Sequence, residues 1–130
     1  MAMNTPPEGY HTITPYLTLR EVESLVEFVK RVFGAKERYR RSGDTGSLHV
    51  ELVLGDSLLM IGGDPNLEES MTAMLRVYVE DVDASYQRAI EAGASSLMQP
   101  TERSNGDRMA GVKGPFGNEW YIATPLVDVS

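Results

Sequence analysis

Apolar residues at Val22, Leu25, Val26, Val29, Val32 and Phe33 recur at intervals of three and four, the spacing of one helix face, so Glu21 to Phe33 is predicted helical. Gly34 follows the last apolar residue, where a left-handed backbone closes a helix, and Lys30 and Arg31 sit in the last turn, complementing its dipole. The stretch before it, Ile13 to Leu19, is rich in β-formers and predicts a strand. After it, Glu37 to Arg41 starts a second strand and Gly43 to Gly46 reads as a turn. Leu48 to Leu54 and Ser57 to Ile61 then form two strands joined at Gly55-Asp56, a hairpin signal. Gly62-Gly63-Asp64-Pro65, with no helical phosphate loop behind it, reads as a linker.

The same order then begins again. An apolar strand from Ala73 to Val79 leads to an acidic helix cap at Asp81 or Asp83 and to a helix with Tyr86, Ala89 and Ile90 inward, ending near Gly93. Ser95 to Met98, a polar loop, Met109 to Val112, the turn Gly114-Pro115-Phe116-Gly117 and Trp120 to Ala123 complete the second set. Val22 and Val82, Gly34 and Gly93, and Gly55 and Gly117 recur at offsets of 60, 59 and 62 residues. Two β-α-β-β-β units, about residues 11–63 and 73–125, account for this regularity. Two copies are too few for a solenoid, so the expectation is one α+β domain spanning residues 1–130, with the halves forming mixed curved sheets around a cleft.

Composition narrows the partners. The 130 residues fit a single domain with a real core, and 42% hydrophobic with 24% charged residues is ordinary globular usage. A net charge of -7, with pI near 4.8, removes the electrostatic source of nonspecific nucleic-acid binding. No apolar run reaches the length that spans a bilayer, and Met1 to Gly9, with Pro6 and Pro7, has neither the basic nor the apolar region of a signal peptide, so a cytoplasmic protein is expected. With no cysteine, disulfides, thiolate ligands and cysteine nucleophiles are excluded.

Thr14-Pro15-Tyr16-Leu17, Phe33-Gly34-Ala35, His49-Val50-Glu51-Leu52, Gly55-Asp56-Ser57, Val79-Glu80-Asp81-Val82-Asp83 and Pro115-Phe116-Gly117-Asn118-Glu119-Trp120, in that order, resemble the vicinal oxygen chelate superfamily. Within it the chain is most similar to the glyoxalase and bleomycin-resistance-like proteins called PhnB-like. The resemblance spans about residues 11–124 and implies paired β-α-β-β-β modules enclosing a ligand cleft, commonly in a homodimer. It also implies where metal-using relatives place ligands: Thr14 and Met74 on the first strands, Glu51 and Tyr121 on later strands. Only Glu51 is a good ligand for a divalent metal, and a catalytic site needs about three.

Two residues away on the same strand faces lie Tyr16, His49, Arg76 and Glu119. His49 and Glu51 would project together, as a base held by a carboxylate, as a start on a metal site with Glu119 as third ligand, or as a polar pair within a sheet. A fixed cation at Arg76 opposes a metal, so no cofactor is expected, and the metal stays the less favoured alternative. Arg76, in an otherwise apolar strand, needs compensation: either it clamps a carboxylate or phosphate of an anionic ligand, or it pairs with Glu51. Tyr16, Trp120 and Tyr121 supply rings near the expected cleft; alternation sends Trp120 and Tyr121 opposite ways, one of them into core or interface. His11 reads as a surface residue. Met60, Met74, Met98 and Met109 read as packing residues, and Arg103 to Arg108 reads as a turn held by Asp107 and pinned by Arg108. Gly114 stands where relatives often carry an acid.

Three functions fit. The first is a small-molecule binding protein without catalytic metal, its ligand held by Tyr16, His49, Glu51, Arg76, Glu119 and Tyr121. The second is a glyoxalase- or dioxygenase-like lyase or isomerase using His49 and Glu51. The third is a structural homodimer without ligand. Fold analogy cannot choose among them, so whether the chain is an enzyme is left open at this level.

Overall fold

The computed structural model describes Pro6 and residues 8–104 and 106–126; Met1 to Thr5 and Pro7 of the N-terminal segment and Asn105 of the polar loop lie outside them. The elements run β1 (Tyr16–Thr18), α1 (Val22–Phe33), β2 (Lys36–Ser42), β3 (Leu48–Leu54), β4 (Ser57–Gly63), β5 (Met74–Tyr78), α2 (Val82–Glu91), β6 (Ser95–Glu102), β7 (Asp107–Lys113) and β8 (Glu119–Pro125). They build two mixed four-stranded sheets of identical plan, β1-β4-β3-β2 and β5-β8-β7-β6. In each, the first strand runs parallel to the fourth and the remaining pairs are antiparallel. The chain divides into two compact units, Met1–Lys30 with Gly34–Met71, and Arg31–Phe33 with Thr72–Ser130.

In the first unit, alternation along β3 buries Val50 and Leu52 with Leu17, Leu19 and Ile61, and the α1 stripe Val22, Leu25, Val26 and Val29 is buried as well. Gly34 adopts φ 72° and its N–H caps the Lys30 carbonyl at 2.9 Å. Arg40 on β2 grips Glu23 of α1 and Glu37, and Lys30 reaches Glu37 at 3.3 Å, so charge ties helix to strand at the rim. Together these cations, Arg40 foremost, hold the Glu37 carboxyl down to about 2.

In the second unit α2 starts at Asp81, whose carboxylate accepts from the Ala84 N–H at 3.2 Å, which settles the cap between the two acids considered. Asp83 instead binds Arg108 of β7 through two hydrogen bonds at 2.8 and 2.9 Å, fastening helix to sheet. Trp120 is fully buried against the Phe33 ring, at 5.3 Å between centroids, while Tyr121 stays half-buried on the other face. Among the described residues no helix is long and apolar enough to cross a membrane.

Three segments differ from the sequence expectation. The strand expected over Ile13 to Leu19 shrinks to Tyr16–Thr18, because Pro15 offers no N–H and pairing begins with its carbonyl, which accepts from Met60 at 3.0 Å; Ile13 is left 83% exposed. The strand expected to end at Met98 continues to Glu102 through two register shifts, around Met98 and up to Thr101, that accommodate Pro100, which cannot donate to the ladder. Gly62 and Gly63 are the end of β4, not a linker; the unit boundary falls after Met71.

Gly63 is in the sheet because only glycine fits there. Its φ is 150°, and a Cβ would lie 2.0 Å from the Leu19 carbonyl oxygen, a backbone atom that cannot swing aside. Gly55, at φ 61° with open space around it, lacks that second constraint. Gly63→Ala is therefore expected to cost on the order of 2–4 kcal/mol, from strain plus overpacking. Gly55→Ala should cost about 1 kcal/mol. Urea midpoints of the two variants check the order, and equal losses would contradict it.

Candidate functional site

The face of the first sheet opposite its apolar side carries the polar residues. Strand register places Tyr39 beside Glu51, Arg41 beside His49, and Met60 between Glu51 and Tyr16. Tyr16 leans over Gly62, where a Cβ would come within 2.2 Å of its hydroxyl, so a side chain at 62 would push the phenol off His49. The Tyr16 hydroxyl lies 3.0 Å from His49 Nδ1, and His49 Nε2 lies 2.8 Å from Glu51 Oε2. Tyr10, from the segment preceding β1, donates its hydroxyl to the other carboxylate oxygen, Oε1.

Glu51 is only 7% exposed. Burial pushes its carboxyl upward, but hydrogen bonds from Tyr10 and His49, with the charges of His49 and Arg38, outweigh it and leave the pKa below the usual carboxylate value. The Tyr10 phenol is raised, first because its hydrogen bond to Glu51 favours the protonated form, and then by burial. Since an ionised carboxylate has no proton to give, a neutral His49 must carry its proton on Nε2, which leaves Nδ1 to accept from Tyr16. Every donor in the chain thus points toward Glu51.

Two hollows flank this chain. One, of about 300 Å³, is lined by Tyr10, Arg38, Tyr39 and Glu51. The Arg38 guanidinium stands 5.2 Å over the Tyr10 ring and donates to the Glu8 carbonyl at 2.8 Å. The other, of about 250 Å³, includes Tyr16, Arg41, Ser47, His49 and Asp64. The rings of Tyr16 and Tyr39 approach His49 at 5.5 and 6.2 Å between centroids, leaving an aromatic shelf with both tyrosines about half exposed.

Of the residues singled out in the sequence, Tyr16, His49 and Glu51 are brought together here. Arg76, Glu119 and Tyr121 lie in the second unit, where Arg76 is the register neighbour of Tyr121, and Tyr121 donates to Glu119 at 3.0 Å. That bond raises the Tyr121 pKa. Arg76 is not a buried charge seeking Glu51: its side chain is 43% exposed and faces Asp107 at 3.4 Å. The expectation of Arg76 as an inward charge among the cleft residues is thereby corrected, and its polar partner comes from β7, not β3.

The repeat also corrects the pairing of later-strand positions. Glu51 sits opposite Met60, and Gly111 sits opposite Tyr121, so Glu51 corresponds to Gly111 and Tyr121 to Met60. By the same register Arg76 stands in the place of Tyr16, and Met109 in that of His49. The second unit therefore does not repeat the hydrogen-bonded chain. Tyr10, Arg38, Tyr39 and Arg41 were missed by sequence reasoning. Alternation along β2 contained the signal for Tyr39 and Arg41; nothing local signals Tyr10, whose partner is 41 residues away.

The residues do not fit the divalent metal site that the family resemblance implies for metal-using relatives. Both His49 nitrogens and both Glu51 oxygens are engaged within the protein, and Thr14, Met74 and Tyr121 bring no strong ligand chemistry. Among the described residues no three His, Cys, Asp or Glu side chains cluster in a way that could hold a metal ion.

The signature of the Glyoxalase/Bleomycin resistance protein/Dioxygenase superfamily matches residues 10–122. The chain belongs to this superfamily. An uncharacterized protein of Mycobacterium bovis is 31% identical over the whole of this chain and 91% of its own length. TioX from Micromonospora sp. ML1 superposes with a TM-score of 0.73 at 22% identity, over 89% of this chain and 99% of that one. Glyoxalase I from Zea mays superposes at 0.71 and 13% identity, over 87% of this chain and 46% of that one. These two likenesses establish the glyoxalase fold, the α+β class with mixed sheets expected from the sequence.

Glu51 supplies a test of the site's electrostatics. Because its folded pKa is lowered, its stabilising contribution is complete above the unfolded value of about 4.3 and is lost as pH falls through the folded value. Glu51→Gln keeps the shape and removes the charge. Its unfolding free energy is expected to be lower than wild type near neutrality and to fall less steeply below about pH 4.3. Parallel acid limbs for the two proteins, from denaturant titrations, would show that Glu51 is not held ionised by Tyr10 and His49.

Proposed function

We propose that the protein binds a small molecule on the open face of its first sheet without a catalytic metal. The single observation that carries this reading is the engagement of His49 at both ring nitrogens, beside two half-exposed tyrosine rings and two hollows. A metal would have to strip His49 and Glu51 of their protein partners, whereas an organic ligand can lie on the tyrosines and exchange a hydrogen bond with Tyr16 or Tyr10. Hollows of this size suit a ligand of one or two rings more than a large peptide. The ordered segments that resemble PhnB-like proteins support membership of that group and a homodimer, and a cytoplasmic location is proposed alongside.

A second reading keeps the same residues. A substrate that displaces the Tyr16 hydroxyl would meet His49 Nδ1, a base oriented by Glu51, and could lose a proton from an acidic carbon to it. This needs the Tyr16 bond to break, so the binding reading stands first.

The test uses protein stripped with EDTA. Aromatic fragments are expected to shift the His49 ring resonances in the stripped protein as in the untreated one, and His49→Ala should weaken their binding by about tenfold or more. Zn²⁺, Ni²⁺, Mn²⁺ or Fe²⁺ bound stoichiometrically in a way that His49→Ala abolishes would overturn the metal-free reading. Solvent deuterium entering a bound carbonyl compound only when His49 is present would favour the second reading.

A further inference from the structure

An arginine that lines a hollow and makes no ion pair can receive an anionic group there. Arg40 is paired with Glu23 and Glu37, Arg76 with Asp107, Arg108 with Asp83 and Arg20 with Glu21. Arg41 is different. It lines the hollow that holds Tyr16 and His49, yet it has neither an ion pair nor a hydrogen bond among the described residues. The sheet sets its position, as the register neighbour of His49.

A second donor faces the same space. The turn after β2 closes with the Gly43 N–H on the Ser47 carbonyl at 2.9 Å, and the Ser47 hydroxyl lies over Gly43 so closely that a Cβ there would be 2.1 Å away. That hydroxyl has no partner among the described residues and lines the hollow beside Arg41. Asp64 is the one acid lining it, and one of its oxygens is occupied by the Asn66 N–H at 2.7 Å in the turn after β4.

From this arrangement we propose that the hollow is an oxyanion subsite: Arg41 and the Ser47 hydroxyl take a carboxylate or phosphate group, and the flat ring bearing it lies toward His49 and the Tyr16 and Tyr39 rings. This rests on the small-molecule reading above and deepens it, by assigning the ligand a charge and a direction along the sheet. A guanidinium presents parallel donors that match an oxyanion, and the hydroxyl supplies a further one. Arg76, the anion clamp suggested by the sequence, is already neutralised by Asp107.

The experiment is an NMR titration of the full chain with benzoate, benzamide and inorganic phosphate. Benzoate is expected to shift the Ser47 amide and the His49 ring, with benzamide at least about tenfold weaker. Arg41→Met should weaken benzoate by about tenfold, and Arg41→Lys and Ser47→Ala by less, while Lys113→Met, which changes net charge equally, stays within about twofold. Because the Arg41 side chain makes no hydrogen bond or ion pair among the described residues, these variants are expected to keep the wild-type amide spectrum, which verifies the fold. Phosphate competing with benzoate in an Arg41-dependent way supports the subsite with the oxyanion alone as its determinant. If benzamide binds as tightly as benzoate, or Arg41→Met binds benzoate like wild type, the oxyanion subsite is wrong and the small-molecule reading survives. If none of the three probes perturbs His49, both fall.

Discussion

A carboxylate removed from water must find hydrogen-bond donors, and the open face of the first sheet is arranged around that need of Glu51. Its two oxygens are taken by Tyr10 and His49, and His49 is held in turn by Tyr16, so one buried charge orders residues from the N-terminal segment, β1 and β3. Glycine at 62 is part of the same device, since a side chain there would displace the Tyr16 hydroxyl. The character of the face follows: an imidazole with both nitrogens occupied, flanked by two half-exposed tyrosine rings.

The duplicated fold makes the asymmetry of the two units informative. Backbone and strand order are repeated, with β1 and β5, and β4 and β8, in the same places. The polar residues are not repeated. Where the first unit has Tyr16, His49 and Glu51, the second has Arg76, Met109 and Gly111, together with a separate Tyr121–Glu119 pair and an Arg76–Asp107 contact. A shared fold is thus maintained by the buried apolar positions, while each open face is free to carry its own chemistry.

Much of the architecture was legible in the sequence because it depends on local rules. The helical spacing of Val22 to Phe33, the closing Gly34, the Gly55-Asp56 turn and the constant offset between halves all express short-range geometry. Where the reading failed, a proline or a glycine was serving a distant strand: Pro15 shortened β1, Pro100 kinked β6 without ending it, and Gly62-Gly63 stayed in the sheet to let Tyr16 and Leu19 approach. The side to which His49 and Glu51 point was likewise readable, from alternation alone.

The amino-acid sequence by itself determined the superfamily, the two β-α-β-β-β units, the absence of cysteine chemistry and the shortage of metal ligands at the expected positions, because these depend on residue identity and near spacing. Only the tertiary structure decided the partners. Tyr10 reaches Glu51 from 41 residues away, Arg76 meets Asp107 across 31, and Arg41 has no ion pair among the described residues although it stands beside His49 in the sheet. Pairing of charges across strands depends on register and on which side chains the turns bring within about 3 Å, and neither is written in the local pattern of the chain.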